Sequence, residues 1–450
     1  MFEGPIFPLI IRFAVPLLVT GILQVLFNAA DIMVVGKFGS EHSLAAVSST
    51  SSITALIVNL FIGLSVGTNV LCARFFGAKD GKALSETVHT SMVIAVVIGM
   101  VLTVVGILLS RPLLAFMDVP PEVLDAATLY MQIYFAGMIP SLVYNYAAAV
   151  LRSVGDTKRP MYFLLLSGVI NVLLNLLLVI VFHLDVAGVA IATVVSQVVS
   201  AVLTVICLLR EEGDVKLYIK KLKIHRHRLT QIIKIGLPAG LQSTMFSIAN
   251  VVVQSSLNSF GSVIMAGSGA AGSIESLLFT ALDAVYQAVV SFTGQNFGRR
   301  NYKRILRAQI IGQVIVYTFG FVICLLAVIY AEPLLTLYAD KPEEIAAGVE
   351  RMHMIGMTVF IYASSNVAVA TIRGLGYSLT PMITSLICVC GARLLWIYTV
   401  FQIPAYHDVS GLYAAFPFSY ILSLVVQVTC LVFVYRNAKK RFPESVPQTM

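Results

Sequence analysis

Long apolar stretches separated by short polar segments make up most of the 450-residue chain. The stretches run to about twenty residues or more, which is the length a helix needs to cross the hydrocarbon core of a bilayer. A transmembrane β-barrel would instead alternate apolar and polar residues along short strands. The pattern therefore predicts an all-α integral membrane protein whose first apolar stretch is retained as a span. The twelve predicted spans cover approximately residues 9–36, 46–74, 88–110, 124–151, 160–182, 187–210, 232–260, 264–296, 306–330, 344–373, 380–402 and 412–435.

The apolar pattern repeats once within the chain. A shift of 222 positions places Pro16 on Pro238 and Asn28 on Asn250, each inside a run of similar residues. Because each half holds six spans, both halves enter the membrane with the same orientation. They are therefore expected to be parallel repeats related by an axis along the membrane normal, an arrangement in which transporters build a central site.

The repeat and the polar segments predict four regions. Residues 1–210 form an N-lobe with spans 1–6, and residues 232–436 form a C-lobe with spans 7–12. A cytoplasmic linker at 211–231 joins them, and a cytoplasmic tail follows at 437–450. The predicted fold is thus twelve transmembrane helices in two parallel six-helix lobes.

Composition and charge agree with a membrane location. Apolar residues make up 58% of the chain and charged residues only 12%, whereas soluble domains carry about 25% charge. The net charge of +8 does not indicate nucleic-acid binding, because the Lys and Arg residues lie in short loops between spans. Twenty-five of them fall on the side that holds both termini and four on the other, which predicts cytoplasmic termini. The six cysteines lie in apolar segments and predict neither a disulfide framework nor a metal site.

Asp31 is the one acidic residue that falls clearly within a span of the first half. Desolvation disfavours the charged form of a carboxyl group, so an acid at this depth can exchange a proton or hold a sodium ion. Asn171 and Asn175 in span 5 share a helix face, and Thr193 lies in span 6. These three residues complete an oxygen-lined site with Asp31, or they serve as hydrogen-bonding contacts between helices.

The second half carries Glu275 and Asp283 on one face of span 8, and Arg393 in span 11. Arg393 is expected to pair with one of the two acids as a structural ion pair. The other acid would then remain for a cationic substrate or a proton.

Small and kink-forming residues predict helix contacts and a hinge. The pair Gly63 and Gly67 and the glycine-rich stretch beginning at Gly267 allow close helix packing. Pro16 can kink span 1, and Pro238 occupies the equivalent position in span 7.

Three short motifs, taken in order with the twelve spans, point to a known family. They are DIMVVGKFG at 31–39, fifteen residues after Pro16, LRSVGDT at 151–157 and GQNFG at 294–298. The set resembles the multidrug and toxic compound extrusion (MATE) family over essentially the whole chain. The resemblance implies a transporter of two rocking six-helix lobes that exports organic cations and other xenobiotics in exchange for protons or sodium.

The resemblance also implies roles for particular residues. Asp31 is similar to the family's coupling acid in span 1, and Asn171 and Thr193 are similar to its polar partners in spans 5 and 6. Asn175 stands where some members carry Asp, so the first-half site has one acid instead of two. Glu275 resembles an acid found in span 8 of many bacterial members.

Sodium-type members of the norfloxacin-exporter branch carry acids in spans 7 and 10. The comparable positions here hold Phe246 and Tyr362. A second-half sodium site of that kind is therefore not expected.

The residues and the resemblance together predict a secondary active antiporter of the bacterial inner (plasma) membrane. We expect a monomer that exports drug-like, cationic compounds, with H⁺ or Na⁺ as coupling ion and no other cofactor. A flippase for lipid-linked oligosaccharide is the alternative, but it would require several Arg or Lys residues for phosphate, and only Arg393 falls clearly within a span. An intramembrane enzyme would require a metal cluster or a Ser/His pair at depth, and His89 at the start of span 3 does not by itself supply either.

Overall fold

The computed structural model describes residues 2–40, 42–117 and 119–444, and these residues form helices without any strand. Residues 445–450, the end of the predicted tail, lie outside the described residues. The helices of the first half are α1 (Ile6–Phe38), α2 (Ser43–Ala78), α3 (Gly81–Phe116), α4 (Pro121–Ala136), α5 (Met138–Ser153), α6 (Lys158–Asn175) and α7 (Asp185–Arg210).

The linker contains two short 3₁₀ turns, Gly213–Val215 and Ile219–Lys221. The helices that follow it are α8 (Arg226–Asn258), α9 (Ser262–Gly298), α10 (Tyr302–Ile315), α11 (Phe321–Ile329), α12 (Ala331–Leu335), α13 (Pro342–Met354), α14 (Val359–Gly374), α15 (Leu379–Ser385), α16 (Ala392–Tyr398), α17 (Val409–Tyr413) and α18 (Ala415–Arg441).

Eleven helical segments of the described chain are long and apolar enough to cross a membrane. The helices α4 and α5 form a bent pair, which gives a twelfth span when the two are counted as one. The prediction of an all-α membrane protein with twelve spans is confirmed.

One span differs in shape from its prediction. Residues 124–151 were expected to form one helix, but the chain bends by 44° between α4 and α5, at Gly137. The bend has a local cause in Pro140, three residues further on. Proline has no backbone N–H to donate to residue 136, and its ring crowds the carbonyl of that residue.

Three spans contain π-helical turns. The turn Leu176–Val181 directly follows α6, whose last residue is Asn175, and the turn Leu386–Gly391 directly precedes α16, whose second residue is Arg393. A third turn joins α10 to α11. Wider turns of this kind are frequent at functional sites, and two of them adjoin polar residues singled out from the sequence.

The repeat is visible in the turn between spans 2 and 3 and in its equivalent between spans 8 and 9. Lys79 and Arg300 both adopt left-handed backbone conformations, with φ of 56° and 57°. The next residues, Asp80 and Asn301, each accept a hydrogen bond from the backbone N–H three residues later, at 3.0 and 3.1 Å. Each side chain therefore caps the first turn of the following helix.

The chain divides into two compact units, one formed by Val19–Gly240 and the other by Met1–Leu18 with Leu241–Met450. Both divisions fall two residues after a proline, Pro16 in α1 and Pro238 in α8. The two helices run through these prolines without a break. The division points are 222 positions apart and so repeat with the sequence.

Glycines bring helix backbones into direct contact within each unit. A Cβ atom added to Gly63 on α2 would lie 2.2 Å from the Cα of Gly240 on α8. A Cβ atom added to Gly267 on α9 would lie 2.2 Å from the backbone oxygen of Glu344 on α13. The predicted role in close helix packing is confirmed for Gly63 and Gly267, but not for Gly269, where an added Cβ atom would have no neighbour within 4 Å.

Candidate ion-coupling and substrate sites

The first-half site depends on a close contact between α1 and α6. The ring of Phe27 lies over Gly168, where an added Cβ atom would meet the ring at 1.8 Å. One helical turn beyond this contact are Asp31 on α1 and Asn171 on α6, and Asn175 follows one turn later on α6. The glycine therefore lets the two helices approach closely enough for the three polar side chains to meet.

Hydrogen bonds join the four residues predicted for this site. Asn175 Nδ2 donates a short hydrogen bond to Asp31 Oδ1 and a second, 3.3 Å long, to Asn171 Oδ1. Thr193 Oγ1 on α7 lies 3.3 Å from Asp31 Oδ2 and accepts from Asn171 Nδ2 at 3.5 Å. The structure thus places Asp31, Asn171, Asn175 and Thr193 in one network.

The network holds unused capacity for a cation. Asn175 is fully buried, and its Oδ1 atom has no hydrogen-bond partner. The Thr193 hydroxyl has one proton for two acceptors, Asp31 Oδ2 and the carbonyl of Val189 at 3.0 Å. A proton can bind to the carboxylate, and a sodium ion can bind to the carboxylate together with these amide and hydroxyl oxygens.

No group of three or more His, Cys, Asp or Glu residues suited to a metal occurs in the described part of the chain. A cation at Asp31 would therefore be held by one carboxylate and by neutral oxygens.

Two tyrosines of α4 also lie near Asp31, although the sequence analysis did not identify them. Tyr130 and Tyr134 lie close enough to Asp31 for an electrostatic interaction, and their rings stack with centroids 6.3 Å apart. Their spacing of four residues puts both on one helix face. Two tyrosines one turn apart within a span were the sequence feature from which these residues could have been identified.

The polar residues of the second half do not form the expected arrangement. Glu275 on α9 pairs with Arg351 on α13, through Nε to Oε1 at 2.9 Å and through NH2 to Oε2 at 2.8 Å. Arg351 NH1 also donates to Ser268 Oγ at 2.6 Å. The expectation that Arg393 pairs with Glu275 is therefore wrong.

Arg351 was not identified from the sequence as a charged residue within the spans. Position 351 nevertheless lies inside predicted span 10, and its side chain is only 13% exposed. A second cation of this half is also buried, since Arg373 is 6% exposed and donates to Tyr286 Oη and Gln242 Oε1. Arg393 is thus not the only guanidinium inside the spans.

Arg393 is fully buried, and its hydrogen bonds go to neutral partners. Its Nε donates to Ser419 Oγ at 3.1 Å, and its NH1 donates to Asn250 Oδ1 at 2.8 Å. Asp283, the other acid expected as its partner, is exposed and accepts from Gln287 Nε2 at 3.3 Å. Glu275 and Asp283 are eight residues apart and therefore lie on similar faces of the helix, but Glu275 is buried and Asp283 is exposed.

Phe246 and Tyr362 lie against each other, as residues of one site would. Their rings stack with centroids 5.3 Å apart and an interplanar angle of 23°. Tyr362 also contacts Phe279 and Tyr420, with centroids at 5.7 and 5.0 Å. An aromatic cluster therefore occupies the place at which the resemblance located acids in other proteins.

Comparison with known proteins gives the same assignment over the whole chain. The family model described as MatE matches residues 16–177 and 238–399, two segments that begin and end 222 positions apart. The "Probable multidrug resistance protein YoeA" of Bacillus subtilis is 26% identical over 435 residues, covering 94% of this chain and 93% of that protein. The "Multidrug export protein MepA" of Staphylococcus aureus is 24% identical, covering 72% of each chain.

Solved structures share the fold. The outward-facing conformation of a multidrug resistance MATE family transporter of the MOP superfamily superposes with a TM-score of 0.90 at 21% identity, covering 98% of both chains. The family model alone spans well over half of the sequence. The chain therefore belongs to the MatE family, and it is a transporter and not an enzyme.

Proposed function

We propose that the protein is a secondary active antiporter that exports drug-like cationic compounds in exchange for protons or sodium. The observation that carries the proposal is the network of Asp31 with Asn175 and Thr193. It offers one half-buried carboxylate with buried neutral oxygens, which suits a single monovalent cation. The relatives named for multidrug resistance and multidrug export support drug-like compounds as the transported class.

Exchange requires the ion and the substrate to stabilise different conformations, or to compete for the same one. When Asp31 is ionised, the amide of Asn175 is its main hydrogen-bond donor. When the carboxyl takes up a proton or a sodium ion, that charge is neutralised and the balance of hydrogen bonds around it changes. Pro16 lies fifteen residues earlier on α1, next to the point where the chain divides into its two units. We assign it the role of a hinge.

Export from everted membrane vesicles tests the proposal. A fluorescent cation such as ethidium is added outside the vesicles, and either a pH gradient or a sodium gradient is imposed. Uptake driven by one gradient and abolished by its dissipation is the expected result, and it identifies the ion. Vesicles containing Asp31→Asn at equal protein level are the matched control. Equal uptake with and without both gradients would contradict the antiporter mechanism.

The proposal includes a location and an assembly state. The distribution of basic residues supports a bacterial plasma-membrane protein with both termini cytoplasmic. The functional unit is a monomer, because one chain supplies both repeats and twelve spans.

A further inference from the structure

The linker between the two halves of the sequence is attached along α3. The backbone N–H of Tyr218 donates to His89 Nε2 at 3.0 Å, and the Tyr218 ring stacks on the imidazole with centroids 6.3 Å apart. Further along the linker, the backbone N–H of His225 donates to Thr90 Oγ1 at 3.1 Å. His89 and Thr90 are 2% and 0% exposed, so the linker covers this part of the helix.

Side chains at both ends of this part of the linker strengthen the attachment. Val215 and Leu217 are buried in a core cluster that includes Val88 of α3. At the other end, Arg228 Nε donates to Glu86 Oε2 at 3.0 Å and forms an ion pair with it. All these contacts lie within one of the two compact units. The position of the linker on α3 is therefore fixed by the fold itself.

The linker lies on the face of α3 that is exposed further along the helix. Val96 and Met100 lie seven and eleven residues after His89. Val104 lies fourteen residues after Thr90. These intervals are close to whole turns, so all five residues share one face. The three apolar side chains are 38%, 46% and 57% exposed, as side chains that face lipid are expected to be.

The linker contacts α3 at the level where that face leaves the hydrocarbon. The helix has 36 residues, whereas about 20 are enough to cross the apolar core of a bilayer, so its ends project into the headgroup layers. His89 is the ninth residue of the helix, and it precedes Val96 by about 10 Å along the axis. The linker therefore lies in the interfacial layer, on the lipid side of α3.

The exposed side chains of this part of the linker are basic or apolar. From Lys216 to Arg228 the chain carries six Lys or Arg residues and no Asp or Glu, and the three acids of the linker, at positions 211, 212 and 214, all precede it. Ile219, Leu222 and Ile224 lie among these cations and are 65%, 42% and 40% exposed. Residues 216–228, which we call the basic segment, thus combine the two kinds of side chain that bind a membrane surface.

A tyrosine ring positions two of the ammonium groups. Lys221 Nζ lies 4.4 Å from the ring centroid of Tyr218, and Lys216 Nζ lies 5.7 Å from it. Cation–π contacts stabilise ammonium groups without neutralising their charge. Glu86, an acid of α3 beside the basic segment, already pairs with Arg228. The basic segment therefore presents net positive charge to the headgroup layer.

We propose that the basic segment is a binding site for anionic phospholipid, which it recognises by the negatively charged phosphate of the headgroup. The donors to the phosphate are the exposed cations Lys220, Lys221, Lys223 and Arg226. The exposed aliphatic side chains of the segment pack on the glycerol backbone and the upper part of the acyl chains. Clusters of this kind are attracted by anionic lipids in addition to their apolar contacts. The inference depends neither on the transported compound nor on the coupling ion.

The fluorescence of one tryptophan placed in the basic segment tests the proposal. The chain contains a single Trp, at position 396, so Ile219→Trp in a Trp396→Phe background reports on position 219 alone. The purified full chain is reconstituted in phosphatidylcholine nanodiscs that contain brominated phosphatidylglycerol or, at equal mole fraction, brominated phosphatidylcholine. Bromine quenches tryptophan on contact.

We expect phosphatidylglycerol to bind at position 219 about fivefold more tightly than phosphatidylcholine, the factor that one basic residue near an anionic surface contributes. High salt should reduce this preference, because it screens exposed charges. Bromine near the carbonyl end of the acyl chain should quench more strongly than bromine near the methyl end, because the segment lies in the interfacial layer.

Charge variants in the same background separate a site from general electrostatic attraction. The first variant replaces three cations of the basic segment, by Lys220→Gln, Lys221→Gln and Lys223→Gln. It should lose the preference for phosphatidylglycerol and remain quenched by lipid. The matched control replaces three exposed cations elsewhere on the side assigned to the cytoplasm, by Lys303→Gln, Arg436→Gln and Lys440→Gln. It should retain the preference, and both variants should melt at the temperature of the parent because the replaced side chains are exposed.

Four results would overturn the proposal. Equal quenching by the two lipids in the parent would show that the segment does not select an anionic headgroup. Equal loss of the preference in both triple variants would show attraction by net charge alone. Absence of quenching by either lipid would place position 219 in water. Loss of the preference on addition of inorganic phosphate, but not of sodium chloride at the same ionic strength, would identify free phosphate as the ligand. None of these measurements requires transport, so a failure of the antiporter proposal is detected separately.

Discussion

Glu275 and Arg351 form a bidentate ion pair between α9 and α13, with N–O distances of 2.9 and 2.8 Å. Both side chains are buried or nearly so, at 5% and 13% exposed. The pair therefore joins spans 8 and 10, and Glu275 is not available as an isolated acid for substrate.

The first prediction concerns the stability of this pair. Glu275→Gln should destabilise the protein, by about 3–5 kcal/mol if the value for buried pairs in soluble proteins applies, because it leaves Arg351 buried without its anion. The measurement is the melting temperature and the yield of monodisperse protein in detergent. Asp283→Asn on the same helix is the control and should behave as wild type, because Asp283 is exposed. A stable Glu275→Gln variant with impaired export would instead assign the residue to transport.

The second prediction concerns Asp31. Asp31→Asn should fold and retain dye binding but lose export driven by an ion gradient, because the amide cannot take up a proton or balance a sodium charge. Asp31→Glu should keep partial activity, since it retains the carboxyl group and displaces it from Asn175 by one methylene. Gradient-driven dye transport in proteoliposomes, at matched protein content, is the measurement. Wild-type coupling in Asp31→Asn would rule out this residue as the ion site.

The third prediction uses two glycines of α9 that are two residues apart. Gly267→Ala should lower the melting temperature, because its Cβ atom would lie 2.2 Å from the Glu344 backbone oxygen and would push α13 away. Gly269→Ala has no atom within 4 Å of its Cβ. It should be neutral or stabilising by up to about 1 kcal/mol, as helix propensity predicts. Similar melting temperatures for the two variants would show that the close contact has no energetic weight.

The fourth prediction concerns topology. A reporter fused after Met450, and one inserted in the 211–231 linker, should both be cytoplasmic, because the span limits predicted from the sequence assign twenty-five Lys and Arg residues to that side. Alkaline phosphatase and green fluorescent protein fusions give opposite signals on the two sides and serve as mutual controls. A reporter found outside at either position would require a different number of spans.

The first-half site was predictable from the sequence because its chemistry is local. Asn171 and Asn175 lie one turn apart on an otherwise apolar helix, so they share a face whatever the helix packs against. Asp31 in span 1 and Thr193 in span 6 are polar residues in apolar stretches, and an acid inside a membrane must find polar partners. The contact that joins the helices, Phe27 on Gly168, is specific to the three-dimensional packing and left no recognisable signal.

By itself the sequence determined the number of spans, their repetition and the location of one isolated acid. Each of these follows from the apolar pattern and from the cost of polar groups in hydrocarbon. Only the tertiary structure decided which charges neutralise each other in the second half. Glu275 and Arg351 are 76 positions apart on different helices, and no periodicity along one helix favours Arg351 over Arg393 as the partner. Helix packing made that choice, and it left Arg393 and Arg373 buried with hydrogen bonds to neutral partners.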